Sequence, residues 1–105
     1  MDMESFWEGY PILATTLGGD FHDFGEGDDA ERARGVRKDL ALEPRVRFFS
    51  DLIVESQRAL EKMDVLWPAI ANDANRCLYN EQEAREWLSR MLAVWRSELD
   101  RMKRG

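Results

Sequence analysis

Asn80-Glu81-Gln82-Glu83-Ala84-Arg85-Glu86-Trp87-Leu88-Ser89-Arg90-Met91-Leu92-Ala93-Val94-Trp95-Arg96-Ser97-Glu98-Leu99-Asp100-Arg101-Met102 carries the clearest pattern in the chain. Ala84, Trp87, Leu88, Met91, Leu92, Trp95, Leu99 and Met102 recur at spacings of three and four, which gathers them on one face of a helix. Arg85, Glu86, Arg90, Arg96 and Arg101 fall opposite. Asn80 with Glu83 three residues on has the form of a capping box, so the helix is expected to open there.

The same period runs upstream. Phe48, Phe49, Leu52, Ile53, Ser56, Ala59, Leu60 and Met63 predict a core helix from Pro44 to about Lys62, with the proline at the first helical position, where its missing N–H costs nothing. Asp64 is placed to cap a shorter helix over 65–75 in which Val65, Leu66, Trp67, Ile70 and Ala74 are apolar. Pro68 fits that helix only in its first turn, and Asn72-Asp73-Ala74-Asn75 favours a turn after it. Ala30, Ala33, Val36 and Leu40 mark a thin stripe for a helix over 29–40, capped by Asp28 or Asp29 and weakened by Gly35.

Nearer the start, Phe6, Trp7, Tyr10, Leu13, Ala14 and Leu17 share a helical face that Pro11 interrupts. Either a short helix ends near Gly9 and a second opens at Pro11, or one helix kinks. Trp7 and Tyr10 are core candidates. No alternating run demands a sheet and no repeat is visible, so the expectation is an all-α bundle of about five helices in a single domain, 1–105.

A charged fraction of 34% beside a hydrophobic fraction of 44% fits a helix-rich globular chain and lies outside the disordered range. Charge is distributed unevenly. Residues 1–31 hold nine carboxylates and no Lys or Arg, whereas the remaining 74 residues hold 12 acidic and 15 basic side chains. Net acidity argues against nucleic acid as the main partner, because phosphate binding takes a basic face; a basic protein is attracted instead. A single cysteine, Cys77, excludes an internal disulfide and a four-cysteine zinc site. The N-terminus lacks the basic and apolar regions of a signal peptide, and no apolar run approaches the ~20 residues that span a bilayer. The expected location is the cytoplasm, with no membrane association.

Most of the acidity lies in Leu17-Gly18-Gly19-Asp20-Phe21-His22-Asp23-Phe24-Gly25-Glu26-Gly27-Asp28-Asp29-Ala30-Glu31. Its glycines break a helix, so it is expected to be a loop between helices. From charge alone a solvated linker is the commoner case and a surface made for a basic partner the other. Arg32, Arg34, Arg37 and Lys38 follow closely enough to balance some of the acid within the chain. His22 beside Asp23 suggests a general base or a metal ligand, but no activated nucleophile accompanies it, and no catalytic residue is assigned. Counted from Asp20 as a calcium loop, the third and fifth positions are His22 and Phe24, so two ligands are missing. No metal and no cofactor are expected.

In Leu17, the Phe21-His22 pair, Asp23, Phe24, the acidic residues after them, and Trp87-Leu88 in the last helix, the chain resembles the immunity proteins of bacterial contact-dependent growth inhibition systems. That family has a segment of the type Leu-x-x-Tyr-Phe-His-Gln-Asp-Trp. Here Asp20 replaces the aromatic before Phe21, the residue between His22 and Asp23 is missing, and Phe24 stands for tryptophan. The resemblance implies a non-enzymatic inhibitor of a cognate toxin domain, often a nuclease with a basic cleft. Toxin contacts are then expected from Asp20, Asp23, Phe24, Glu26, Asp28, Asp29 and Glu31, with Leu17, Phe21, His22, Trp87 and Leu88 structural. Phe21 and Phe24 are alternatively both anchors on the partner or both packed inward. The other function class is a helical scaffold or regulatory subunit, a homodimer joined through Trp87, Trp95 and Met102.

Overall fold

A computed structural model describes residues 3–21, 29–74 and 78–104, with the side chains of 3–5 and 20 excepted. The described residues form six helices and no strand: α1 (Met3–Gly9), α2 (Pro11–Asp20), α3 (Asp29–Arg34), α4 (Leu42–Leu60), α5 (Met63–Ala74) and α6 (Glu81–Arg104). The protein is all-α. Helix α6 packs against α3, α4 and α5; α2 packs against α4 and α5; α1 lies on α2 and α5.

Six helices form where about five were expected because Pro11 divides the first apolar run. Tyr10, at φ −138°, leaves the helical region between α1 and α2. At the start of α6 the capping box forms: the Glu83 N–H donates to Asn80 Oδ1 at 2.9 Å. The Glu83 carboxylate returns to the N–H of Tyr79 at 3.0 Å, one residue before the cap. Helix α4 begins two residues before Pro44, which still falls in the first turn, where no N–H is needed.

Two elements depart from expectation. Helix α3 ends at Arg34 instead of reaching residue 40, and the chain continues in turns through Gly35, with Arg37 in the left-handed region at φ 52°. Pro68 lies inside α5, beyond its first turn, and residues 72–74 are helical, not a turn. The proline removes one bond to the Asp64 carbonyl. Packing of Met63, Leu66, Ile70 and Ala74, all fully buried, outweighs that local cost.

The core joins Phe6, Leu13, Leu17 and Phe21 to Phe49, Leu52, Leu66, Ile70, Leu88 and Trp95, all fully buried. Trp87 and Met102 are also buried, so the terminal-helix stripe considered as a dimer surface is covered within one chain. Trp7 is a correction to the expected core: it is 41% exposed, its ring lying over Gly18, where an added Cβ would come to 3.4 Å from Trp7 Cζ2.

Two charged side chains hold helices together from inside. Arg45 donates from Nη2 to the Arg34 carbonyl at 2.6 Å and from Nε to the Val36 carbonyl at 3.0 Å. These carbonyls are available because α3 stops at Arg34. Arg45 Nη1 also lies 3.5 Å from Glu98 on α6, and its guanidinium sits 5.0 Å from the Phe49 ring centre. On the other side of the bundle, buried Glu55 of α4 accepts the Leu13 N–H at 2.9 Å and so caps the first turn of α2. Arg58, one turn along α4, covers the Tyr10 ring at 5.1 Å.

Candidate binding site

Of the acidic segment, Asp23, Phe24, Glu26 and Asp28 lie outside the described residues, as does His22; Asp20 ends α2. Its two edges are described. Phe21 follows α2 and is fully buried, edge-on to Trp87 (ring centres 5.4 Å apart, 81° between planes) and to Trp95 (6.3 Å, 78°). Such edge-to-face pairs are favoured by the ring quadrupoles. Asp29 opens α3, and its Oδ2 accepts the Trp87 indole N–H at 2.7 Å.

One indole on α6 therefore touches two residues of the segment, Phe21 and Asp29. Trp87 contributes apolar faces to Phe21 and its single donor to Asp29, which takes that carboxylate partly into the body of the protein. Leu17 and Leu88 are fully buried in the same core. Glu31 is exposed on α3. Among the cations that follow, Arg37 lies over the Phe48 ring at 5.3 Å. The neighbouring Trp95 is buried with its indole N–H unpaired among the described residues.

No known protein family, characterised protein or solved structure matches this chain. No helix among the described residues is long and apolar enough to cross a membrane. The described residues contain no cluster of His, Cys, Asp and Glu able to hold a metal.

Two of the buried carboxylates, Glu55 and Glu98, respond to pH in opposite directions. Burial raises the Glu55 carboxyl above the ordinary value of 4.5, against the lowering effects of the Leu13 and Ile12 N–H groups and of Arg58. The Arg101 hydrogen bond lowers Glu98, outweighing its burial. A raised folded-state pKa means the folded chain holds the proton longer, so stability from Glu55 is fully present below 4.5 and is lost as pH rises through the folded value. For Glu98 stability is present above 4.5 and is lost as pH falls through the lowered value. The melting-temperature difference between wild type and Glu55→Gln is expected to shrink on raising the pH from 4 through 7, and that for Glu98→Gln to grow. Parallel slopes in the two thermal series would contradict this assignment.

Apolar periodicity does not mark Arg45 and Glu55, because it counts only hydrophobic positions. A signal was present: Arg45 stands one helical turn before Phe49, on the face that Leu52 and Ile53 continue.

Proposed function

We propose that this protein is an immunity protein that binds and neutralises a toxin domain, a nuclease in the simplest case, of a contact-dependent growth inhibition system, acting in the cytoplasm without catalysis. The observation that carries the proposal is charge segregation: nine carboxylates and no cation in residues 1–31, joined to a helical body. A nuclease that must hold phosphate presents a positive cleft, which an acidic inhibitor can occupy, with long-range attraction raising the association rate. The resemblance in Leu17, Phe21-His22, Asp23 and Trp87-Leu88 supports the same reading.

The test is to mix the purified protein with a panel of toxin nuclease domains and to measure nuclease activity and complex formation at two salt concentrations. Changing Asp20, Asp23, Asp28 and Asp29 together to Asn is expected to weaken the complex at least ~10-fold at low salt and to flatten its salt dependence. The Asp29→Asn change retains an acceptor for the Trp87 indole, so helicity by circular dichroism is expected to persist. Unchanged affinity would remove the acidic segment from the interface, and failure to bind or inhibit any domain would overturn the reading.

A further inference from the structure

Among the described helices, Lys and Arg occur in three of the six. Helices α1, α2 and α5 contain no Lys or Arg, whereas α3, α4 and α6 contain 11 among them. The three cation-free helices are mutual neighbours, each packing against the other two. Sequence alone placed α1 and α2 in the acidic part; only the fold brings α5, more than 40 residues later, beside them. Lys62 before α5 and Arg58 over Tyr10 mark the border with the cationic helices.

This group of helices also carries two of the exposed large apolar side chains. Trp7 of α1 is 41% exposed and rests on Gly18 of α2, and Val65 of α5 is 44% exposed. A Cβ at Gly18 would just touch the ring, so the glycine lets the indole lie against α2. The indole is thus in contact with α2 and still well exposed. Exposed Glu8 follows Trp7 in α1, and exposed Asp64 precedes Val65 in α5. Tryptophan is among the side chains most enriched in residues that dominate protein interfaces.

We infer that the outer face of α1, α2 and α5 is a docking surface for a basic protein partner, with Trp7 as its apolar anchor. The inference rests on the immunity reading for the identity of that partner, but extends the contact beyond residues 20–31. Complementary charge selects the partner: helices that present Glu8 and Asp64 and carry no Lys or Arg of their own disfavour acidic proteins and nucleic acid and draw a basic protein, whose apolar residues Trp7 and Val65 then meet.

Isothermal titration against the toxin nuclease domain of the panel that binds best, at two salt concentrations, tests this with three variants. Trp7→Ala is expected to weaken binding ~30-fold or more. Val65→Arg, which puts a cation on the face without touching the core, is expected to weaken it at least ~10-fold, more at low salt than at high salt. Leu42→Arg, at the start of α4 where the side chain is 58% exposed, is expected to change little. Equal binding by wild type, Trp7→Ala and Val65→Arg would overturn this face while leaving the immunity reading intact. Binding of no toxin domain by wild type would overturn both. Val65→Arg also decides the matter if Trp7→Ala proves unstable, since an exposed residue can be changed without opening the bundle.

Discussion

Replacing Arg45 with alanine is expected to lower the unfolding free energy by about 3–5 kcal/mol, the scale for removing one partner of a buried charge pair. The guanidinium meets carbonyls of Arg34 and Val36, Glu98 and the face of Phe49 at once. Its loss leaves acceptors of the turn after α3 without their donor and Glu98 with one cation fewer, and an orphaned buried acceptor is costly on its own. Arg45→Lys is expected to recover little, because a single ammonium cannot reproduce the planar fork that reaches two carbonyls and a carboxylate. Urea unfolding followed by circular dichroism measures both. A loss under ~1 kcal/mol for Arg45→Ala would mean that the turn and α6 are held by apolar packing alone, since ordinary neutral hydrogen bonds contribute about that much.

The second large effect is expected at Trp87. Truncating it to alanine should cost about 3–5 kcal/mol as a buried aromatic removed from a close-packed core. Trp87→Phe separates the two roles of the ring: an aromatic face toward Phe21 remains while the hydrogen bond to Asp29 is lost. The phenylalanine variant is therefore expected to retain most of the stability, with a loss of about 1.5–3 kcal/mol for a bond to a charged acceptor. Equal destabilisation by the two substitutions would assign the whole effect to the Asp29 contact, and a neutral Trp87→Ala would contradict its place in the core.

Sequence periodicity was sufficient for α4 and α6, because each is long, amphipathic and packed along one stripe, so the local pattern and the tertiary environment agree. The break at Pro11 was legible for a backbone reason, a fixed φ and a missing donor. Where tertiary contacts overrode local preference, the pattern misled. Pro68 is retained inside α5 because the apolar residues on both sides of it are buried, and no local rule reports that burial. Trp7 has the spacing of a core residue, but α1 packs mainly on α2 and α5, and the indole beside Gly18 stays 41% exposed. The pairing of Trp87 with Asp29 joins residues 58 apart in the chain, a distance over which periodicity carries no information.

Within the candidate site, the acidic segment was legible as charge, and Phe21 as a residue suited to packing. The burial of Phe21 against Trp87 and Trp95 required the fold. Segregation of the cations required it too: the absence of Lys and Arg from α5 means nothing in a linear reading and becomes informative only when α5 lies beside α1 and α2.

The cap that Glu55 places on α2 bears on how the protein assembles. Tyr10 supplies no side-chain cap of its own, Pro11 contributes no N–H, and glycines stand at 18 and 19, so α2 has neither a strong local start nor a strong local end. A ten-residue segment of this kind is too short to hold helical form alone in water. Its first turn is completed by a carboxylate 42 positions further along the chain, which makes the N-terminal pair of helices dependent on α4. The N-terminal pair of helices thus draws on α4 and α5 for its form, and the seat of Trp7 on Gly18 depends on contacts made far along the chain.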